Sequence, residues 1–273
     1  MSGPRLLVLG VAQDGGHPQP GCRRECCTGP GVERHLTASV AITEGDRAWL
    51  IDAGPDFPRH LQRLASHGLE LAGILLSHAH IGHYTGLMYL GREAMNTTRM
   101  PVWAAPGLGW FLRSNGPWRQ LVAAANIDLH IVREDFDLGT THVGTFPVPH
   151  RGEFSETIGF RISGPTATAL YVPDTDGWDG WETPIESHLA TADIALLDGT
   201  FFDESELPEP DRDRIPHPTV KASLLRFGGV STAAIRFTHL NHTNPLLDPA
   251  SAAAATVAAA GMAVAREGDG YEL

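Results

Sequence analysis

Short apolar runs separated by turn-forming residues dominate the chain. RLLVLGV, ASVAIT, RAWLID, AGILLS, PVWAA, IDLHIV, THVGTFPV, TIGFRI, TALYV, IALLD and TAAIRFT are β-branched or aliphatic over strand length, so each predicts a β-strand. Between them, DFPRHLQRLASHG, YTGLMYLGREA, GLGWFLRS, TPIESHLAT and PASAAAATVAAAG predict helices, the last stopped by Gly261. ASVAIT and RAWLID flank EGDR and predict a hairpin over residues 38–52, with βα units after it. Strands outnumber helices in both halves. That mixture fits two sheets packed face to face with helices outside, in a single domain over residues 1–273.

Several runs end on residues able to bind a cation. AGILLS leads into His78-Ala-His80-Ile-Gly82-His83, three imidazoles within six positions. In extended backbone, residues two apart point to one side, so His78 and His80 converge just beyond the strand. The chain then turns into YTGLMYLGREA, which puts His83 in a first helical turn facing the same spot. His150 follows the run in TFPVPH, Asp174 follows TALYVP, and His239 and His242 follow IRFT. Sites are commonly built where rigid strands give out, and neutral imidazole is a common ligand of zinc and similar metals. The pattern predicts a metal site along one sheet edge. His60 and His67, on the amphipathic stretch HLQRLASHG, read as bystanders.

Charge narrows the partners. Lys and Arg number 20 against 32 Asp and Glu, a net charge of −12 with no basic patch, which argues against nucleic-acid backbones. No apolar run reaches the ~20 residues of a membrane helix. The opening MSGPRLLVLGVAQDGG is too brief a run for a secretory leader and reads as a first strand, so a cytoplasmic protein is expected. The glycines of AQDGGHPQPG lack the strand–helix setting of a phosphate loop and read as a turn. All three cysteines fall between residues 22 and 27, an odd and crowded set unlike a disulfide framework. The expected partner is a small-molecule substrate, with no nucleic acid and no membrane, and a homodimer is compatible with the sequence.

Taken in order, LIDAGPD, SHAHIGH, PHRGE, YVPDTD and FTHLNH resemble the motifs of the metallo-β-lactamase fold superfamily over almost the whole chain. LGVAQDGGHPQPGC and HLNHTNPLLDP look most like its pyrroloquinoline quinone (PQQ) biosynthesis protein B group. The chain is also similar to the cyclic-phosphate phosphodiesterases of the phosphonate pathway. The resemblance implies an α/β fold, a four-layer αββα sandwich with metals at one edge. It implies that His78, His80 and His150 hold a first metal, that Asp174 bridges two metals, that His83 and His239 serve the second, and that Asp52 supports the loop. Asp176 rivals Asp174, which is preferred because it comes first after its strand. The departure is Gly82. The family writes H-x-H-x-D-H, and the aspartate missing here is a second-metal ligand. Its loss should leave one strong metal site and one weakened or empty one.

Related proteins also carry a structural zinc on a Cys-rich loop, completed by a histidine three residues after the last active-site histidine. By that resemblance Cys22, Cys26, Cys27 and His242 form a separate Cys3His site, with Cys26 or Cys27 spare if adjacent thiols do not share one ion. His217 in RIPHPT falls where some relatives place a general acid or an oxyanion donor. Trp178 and Trp181 either wall a pocket or pack at the surface. The implied function is a metal-dependent hydrolase, with Asp174 and His217 in catalytic roles and Zn2+ as the ion, Fe2+ or Mn2+ being alternatives. Two other functions stay open: an iron-dependent oxygenase acting on a quinone precursor, and a non-enzymatic carrier of a quinone or other small molecule.

Overall fold

In the computed structural model, which describes residues 3–207, 214–229 and 233–273, alternation along each strand sorts side chains onto two faces. In β1 (Arg5–Gly10), Leu6 and Val8 enter one core while Leu7 and Leu9 enter another. β1 pairs antiparallel with β2 (Ser39–Glu44), which returns as β3 (Arg47–Ile51). Glu44 faces Arg47 across this hairpin, and Gly45 supplies the positive φ, 63°, that so tight a connection needs. β4 (Glu70–Leu75), β5 (Met100–Ala104) and β6 (Ile127–Ile131) then run parallel to β3. With β14 (Gly270–Glu272) on the far edge, the first sheet has the order β14-β1-β2-β3-β4-β5-β6.

The second sheet has the order β13-β12-β11-β10-β9-β8-β7. Its strands are β7 (Phe136–Leu138), β8 (Thr141–Pro147), β9 (Ile158–Ser163), β10 (Thr168–Val172), β11 (Ile194–Asp198), β12 (Ala234–Thr238) and β13 (Ala263–Val264). Between the sheets, Leu6, Ile42 and Trp49 meet Phe160, Ile162 and Tyr171. On the outside of the first sheet, Leu50, Ile74 and Val102 pack against Phe57 and Leu64 of the helix Phe57–Ser66 and Leu108 of the helix Pro106–Ser114. On the outside of the second, Leu170, Leu197 and Phe237 pack against the helices Ile185–Leu189, Val220–Phe227 and Ala252–Ala259. The order of layers is αββα, as the sequence implied. Strands covered on both faces are apolar throughout, which explains the unbroken runs.

β7, β13 and β14 are too short to show a period in sequence. The helix Val220–Phe227, not among the helices expected from sequence, has a cap, Thr219 Oγ1 accepting from the Ala222 N–H at 3.2 Å, and a short apolar face of Val220, Leu224 and Phe227. The stretch YTGLMYLGREA departs from expectation. Only Ile81–Tyr84 is α-helical, and a 3-10 turn follows over Thr85–Leu90. The Gly86 N–H is taken by the Ala53 carbonyl at 2.7 Å, and past Gly91 the chain folds back so that Asn96 N–H reaches the Gly91 carbonyl at 2.8 Å. Trp178 and Trp181 are buried in the outer core rather than at the surface, and the Trp178 indole N–H donates to Ser223 Oγ at 2.8 Å. His67 is exposed, whereas His60 is fully buried and its burial pushes it down to about 3, a neutral core residue. Among the described residues no helix is long and apolar enough to cross a membrane.

Candidate metal centre

Strand direction decides where the ligand-capable residues go. β1, β3 and β4 share one direction in the first sheet, and β8, β10, β11 and β12 share one in the second. The segments that leave their C-terminal ends therefore emerge at a single edge of the sandwich. There His78 Nε2 lies 3.3 Å from Asp174 Oδ2, His150 Nε2 lies 3.2 Å from the same oxygen, and His80 Nδ1 lies 3.8 Å from it. His150 Nε2 and His80 Nδ1 are 3.0 Å apart. Donors on one ion with bonds of ~2.1 Å stand ~3.4 Å apart in a tetrahedron, so this spacing fits a cation. Asp176, the rival carboxylate, sits behind His150 with Oδ1 2.7 Å from Nδ1, outside the ring of donors.

Each ring is turned by a partner at its other nitrogen, the arrangement that fixes the tautomer a ligand needs. Ser77 Oγ lies 2.9 Å from His78 Nδ1. Asp52, after β3, has its Oδ2 2.8 Å from His83 Nδ1, and it accepts from the Ser77 N–H and hydroxyl at 2.8 and 2.9 Å. Thr200 Oγ1 holds His239 Nδ1 at 3.0 Å, and Glu153 Oε2 holds His80 Nε2 at 3.1 Å. The inward atoms are left over: His78 Nε2, His83 Nε2 and His239 Nε2 are buried without a hydrogen-bond partner. Buried polar atoms are rarely left so, and several of them facing one another is what a cation resolves.

His83 and His239 are turned toward Asp174 Oδ2, at 3.7 and 4.0 Å. A third group joins them that the sequence reading missed, Asp14 in AQDGG. Its Oδ1 lies 3.4 Å from His83 Nε2 and 3.8 Å from His239 Nε2. It comes from a turn closed by Gly16 N–H to the Gln13 carbonyl at 2.7 Å. Two backbone bonds carry that turn to the site, Leu240 N–H to the Val11 carbonyl at 2.7 Å and Gln13 N–H to the Leu240 carbonyl at 2.8 Å. The turn itself was legible in the glycines, but this long-range pairing was not.

Buried acids and imidazoles shift one another strongly here. Burial pushes Asp174 up, but His239, His217, His150 and His78 reverse this and hold it well below the usual carboxylate range. Burial likewise opposes charge on His83, yet the Asp52 and Asp14 carboxylates hold it well above the ordinary imidazole value. His78 is pushed well down, by burial and then by His83. His217 packs beside the centre, with Nδ1 2.8 Å from Asp198 Oδ2 and 3.4 Å from Asp174 Oδ1. Burial lowers it, but Asp198 and Asp174 outweigh that and hold it at about 9. Asp198 ends β11, so the strand-end pattern that flagged Asp174 would also have found it. His217 also lines a cavity of about 340 Å³ shared with Asp176, Phe201 and Pro216.

The cysteines form a separate group. Ligand atoms of Cys22, Cys26, Cys27 and His242 lie within 4.8 Å of one another, and no disulfide joins the three thiols. Cys26 Sγ and Cys27 Sγ are 3.9 Å apart, close to the ~3.8 Å edge of a zinc tetrahedron with 2.3 Å Zn–S bonds. Both adjacent thiols are thus brought to the set, neither left outside. Burial and then the Cys27 and Cys22 sulfurs push the Cys26 thiol up to about 11, a penalty that a bound cation removes.

Residues 47–264 match the family described as Beta-lactamase superfamily domain. Over 97% of its length the chain is 28% identical to Coenzyme PQQ synthesis protein B of Xanthomonas euvesicatoria pv. vesicatoria, covering 98% of that protein. It is 27% identical to the protein of the same name in Ruegeria pomeroyi, with the same coverage of 97% and 98%. The solved structure of Zn(2+)-bound PqqB from Methylobacterium extorquens superposes at a TM-score of 0.83 and 23% identity, over 98% of this chain and 100% of that one. A diphosphatase of the PhnP family superposes at a TM-score of 0.74 and 24% identity, over 99% and 97%. The family match runs from β3 to β13, through both sheets and every strand end from which His78, His150, Asp174 and His239 emerge, and the chain accordingly belongs to the β-lactamase superfamily.

Proposed function

We propose that the protein is a metal-dependent hydrolase related to coenzyme PQQ synthesis protein B, with zinc at the strand-end centre. One observation carries the reading: His78 Nε2, His80 Nδ1, His150 Nε2 and Asp174 Oδ2 converge at 3.0–3.8 Å along the edges measured. The donors are nitrogen and oxygen without thiolate, a set that suits Zn2+ and also Fe2+ or Mn2+. A metal there supplies an acidified water and polarises the scissile bond. The chain's own residues do the rest. Asp174 anchors the donors from both sheets, and Asp52, Ser77 and Thr200 keep the imidazoles turned inward. His217, its Nδ1 held by Asp198 and its Nε2 without a partner, is the proton donor to a leaving group in the adjoining cavity. Cys22, Cys26, Cys27 and His242 hold a second, structural zinc.

Assays of ester, lactone, amide and phosphodiester substrates, with metal analysis of the same samples, test this reading. The His80→Ala variant should lose the metal of the centre and all turnover. The His217→Asn variant should keep its metal and lose about 10²–10⁴-fold in kcat. Full metal occupancy with no turnover across the panel would refute the hydrolase.

The same histidine and carboxylate donors also favour a second reading, an oxygenase acting on a quinone precursor. Iron in the purified protein, with oxygen uptake on adding such a precursor, would select it. Zinc alone would exclude it.

A further inference from the structure

Gly82 stands where the H-x-H-x-D-H pattern has its aspartate, and the structure explains the glycine. The residue lies in the helical turn Ile81–Tyr84 and has no positive φ, so backbone freedom is not what it provides. Space is. A Cβ built on Gly82 falls onto the Asp14 side chain, onto Oδ1 first and then Cγ at 2.6 Å, with Asp14 Cα at 2.7 Å. A carboxylate has entered from another loop at the point where the local one is missing.

We propose that Asp14 is a direct ligand of a second cation, standing in for the absent aspartate, and that Gly82 is the residue that admits it. The second site is then Asp14 Oδ1, His83 Nε2, His239 Nε2 and the shared Asp174 Oδ2. The four measured edges of that set are 3.4, 3.8, 3.7 and 4.0 Å. Asp14 Oδ1 is shielded from solvent and has no hydrogen-bond partner, although the Asp14 side chain as a whole is 39% exposed. The two imidazoles it faces are each 1% exposed, and their Nε2 atoms are likewise unpartnered. Asp14 lies before the segment that matches the family, residues 47–264, so the substitution crosses from one part of the chain to another. The weakened second site expected from Gly82 alone leaves this carboxylate out of account. The proposal rests on the metal-binding reading of the centre but not on hydrolysis.

Mn2+ is a suitable probe because a hard ion leaves the thiolate group unfilled. The full chain is titrated with Mn2+ and read by electron paramagnetic resonance, with bound metal counted in parallel. Wild type should bind two Mn2+ per chain and give an exchange-coupled spectrum. The near-isosteric Asp14→Asn variant should bind one ion with wild-type affinity and give an uncoupled six-line spectrum. Its second-ion affinity should fall by about 100-fold or more, since even outer partners of metal ligands are worth 10–100-fold. The retained first ion reports that the variant is folded, and Asp14→Glu should recover part of the coupling. Two coupled ions in Asp14→Asn, bound within about twofold of wild type, would overturn the proposal and leave the hydrolase reading intact. A single Mn2+ in wild type, unchanged by Asp14→Asn, would overturn it equally and leave a one-metal hydrolase. No Mn2+ and no Zn2+ at the centre of wild type would remove both.

Discussion

Asp52 has a φ of 66° and a fully buried carboxylate that serves Ser77 and His83 at once. Asn tolerates this left-handed conformation nearly as well as Asp, so Asp52→Asn removes charge without straining the backbone. His83 then loses the anion that orients it, and metal affinity is expected to drop by about 10–100-fold in a chelator competition titration. Unchanged affinity would mean that Asp52 serves the loop alone. His78, His80, His150, Asp174 and His239 were legible in sequence because each follows an apolar run whose end is recognisable. Asp14 was not, because its place depends on Val11 and Gln13 pairing with Leu240, a contact between opposite ends of the chain. Asp176 and Asp174 could not be separated by spacing beyond a preference. The backbone after β10 separates them, by aiming Asp174 inward and Asp176 at the far side of His150.

The fold of each element was legible where length and period were sufficient, as in the eleven apolar runs that became β1–β6 and β8–β12. It failed in YTGLMYLGREA, where tertiary demands on Gly86 override a helical pattern. The Cys loop is a separable element of the same kind, a short helical turn Glu25–Thr28 flanked by irregular chain. Hydrogen bonds hold it locally, His17 Nε2 lying 2.7 Å from the Cys26 carbonyl, and a cation at Cys22, Cys26, Cys27 and His242 would also bind it to the strand end that carries His239. Cys22→Ser is expected to release one zinc per chain and to speed amide hydrogen exchange across residues 19–29. The metal bound at His78, His80 and His150 should be unaffected. Equal zinc in variant and wild type would show that Cys22 is not a needed ligand.

At the scale of the molecule, the centre joins the two sheets: His78, His80 and His83 come from one, and His150, Asp174 and His239 from the other. One ion present at ~1,000 times its Kd adds about 4 kcal/mol to stability. For a chain of this size 1 kcal/mol moves Tm by about 2–4 °C, so removal of metal should lower Tm by roughly 10 °C by calorimetry. A shift below about 2 °C would separate metal binding from the stability of the fold.

The parallel meeting of Ala12 with Leu240 also orders events in the life of the protein. A polypeptide that has not yet reached β12 holds His78, His80, His150 and Asp174, but it has neither His239 nor the Leu240 backbone that carries Asp14 to the site. Any cation set between Asp14 and His239 would therefore be a late acquisition, made only after the two ends of the fold have met.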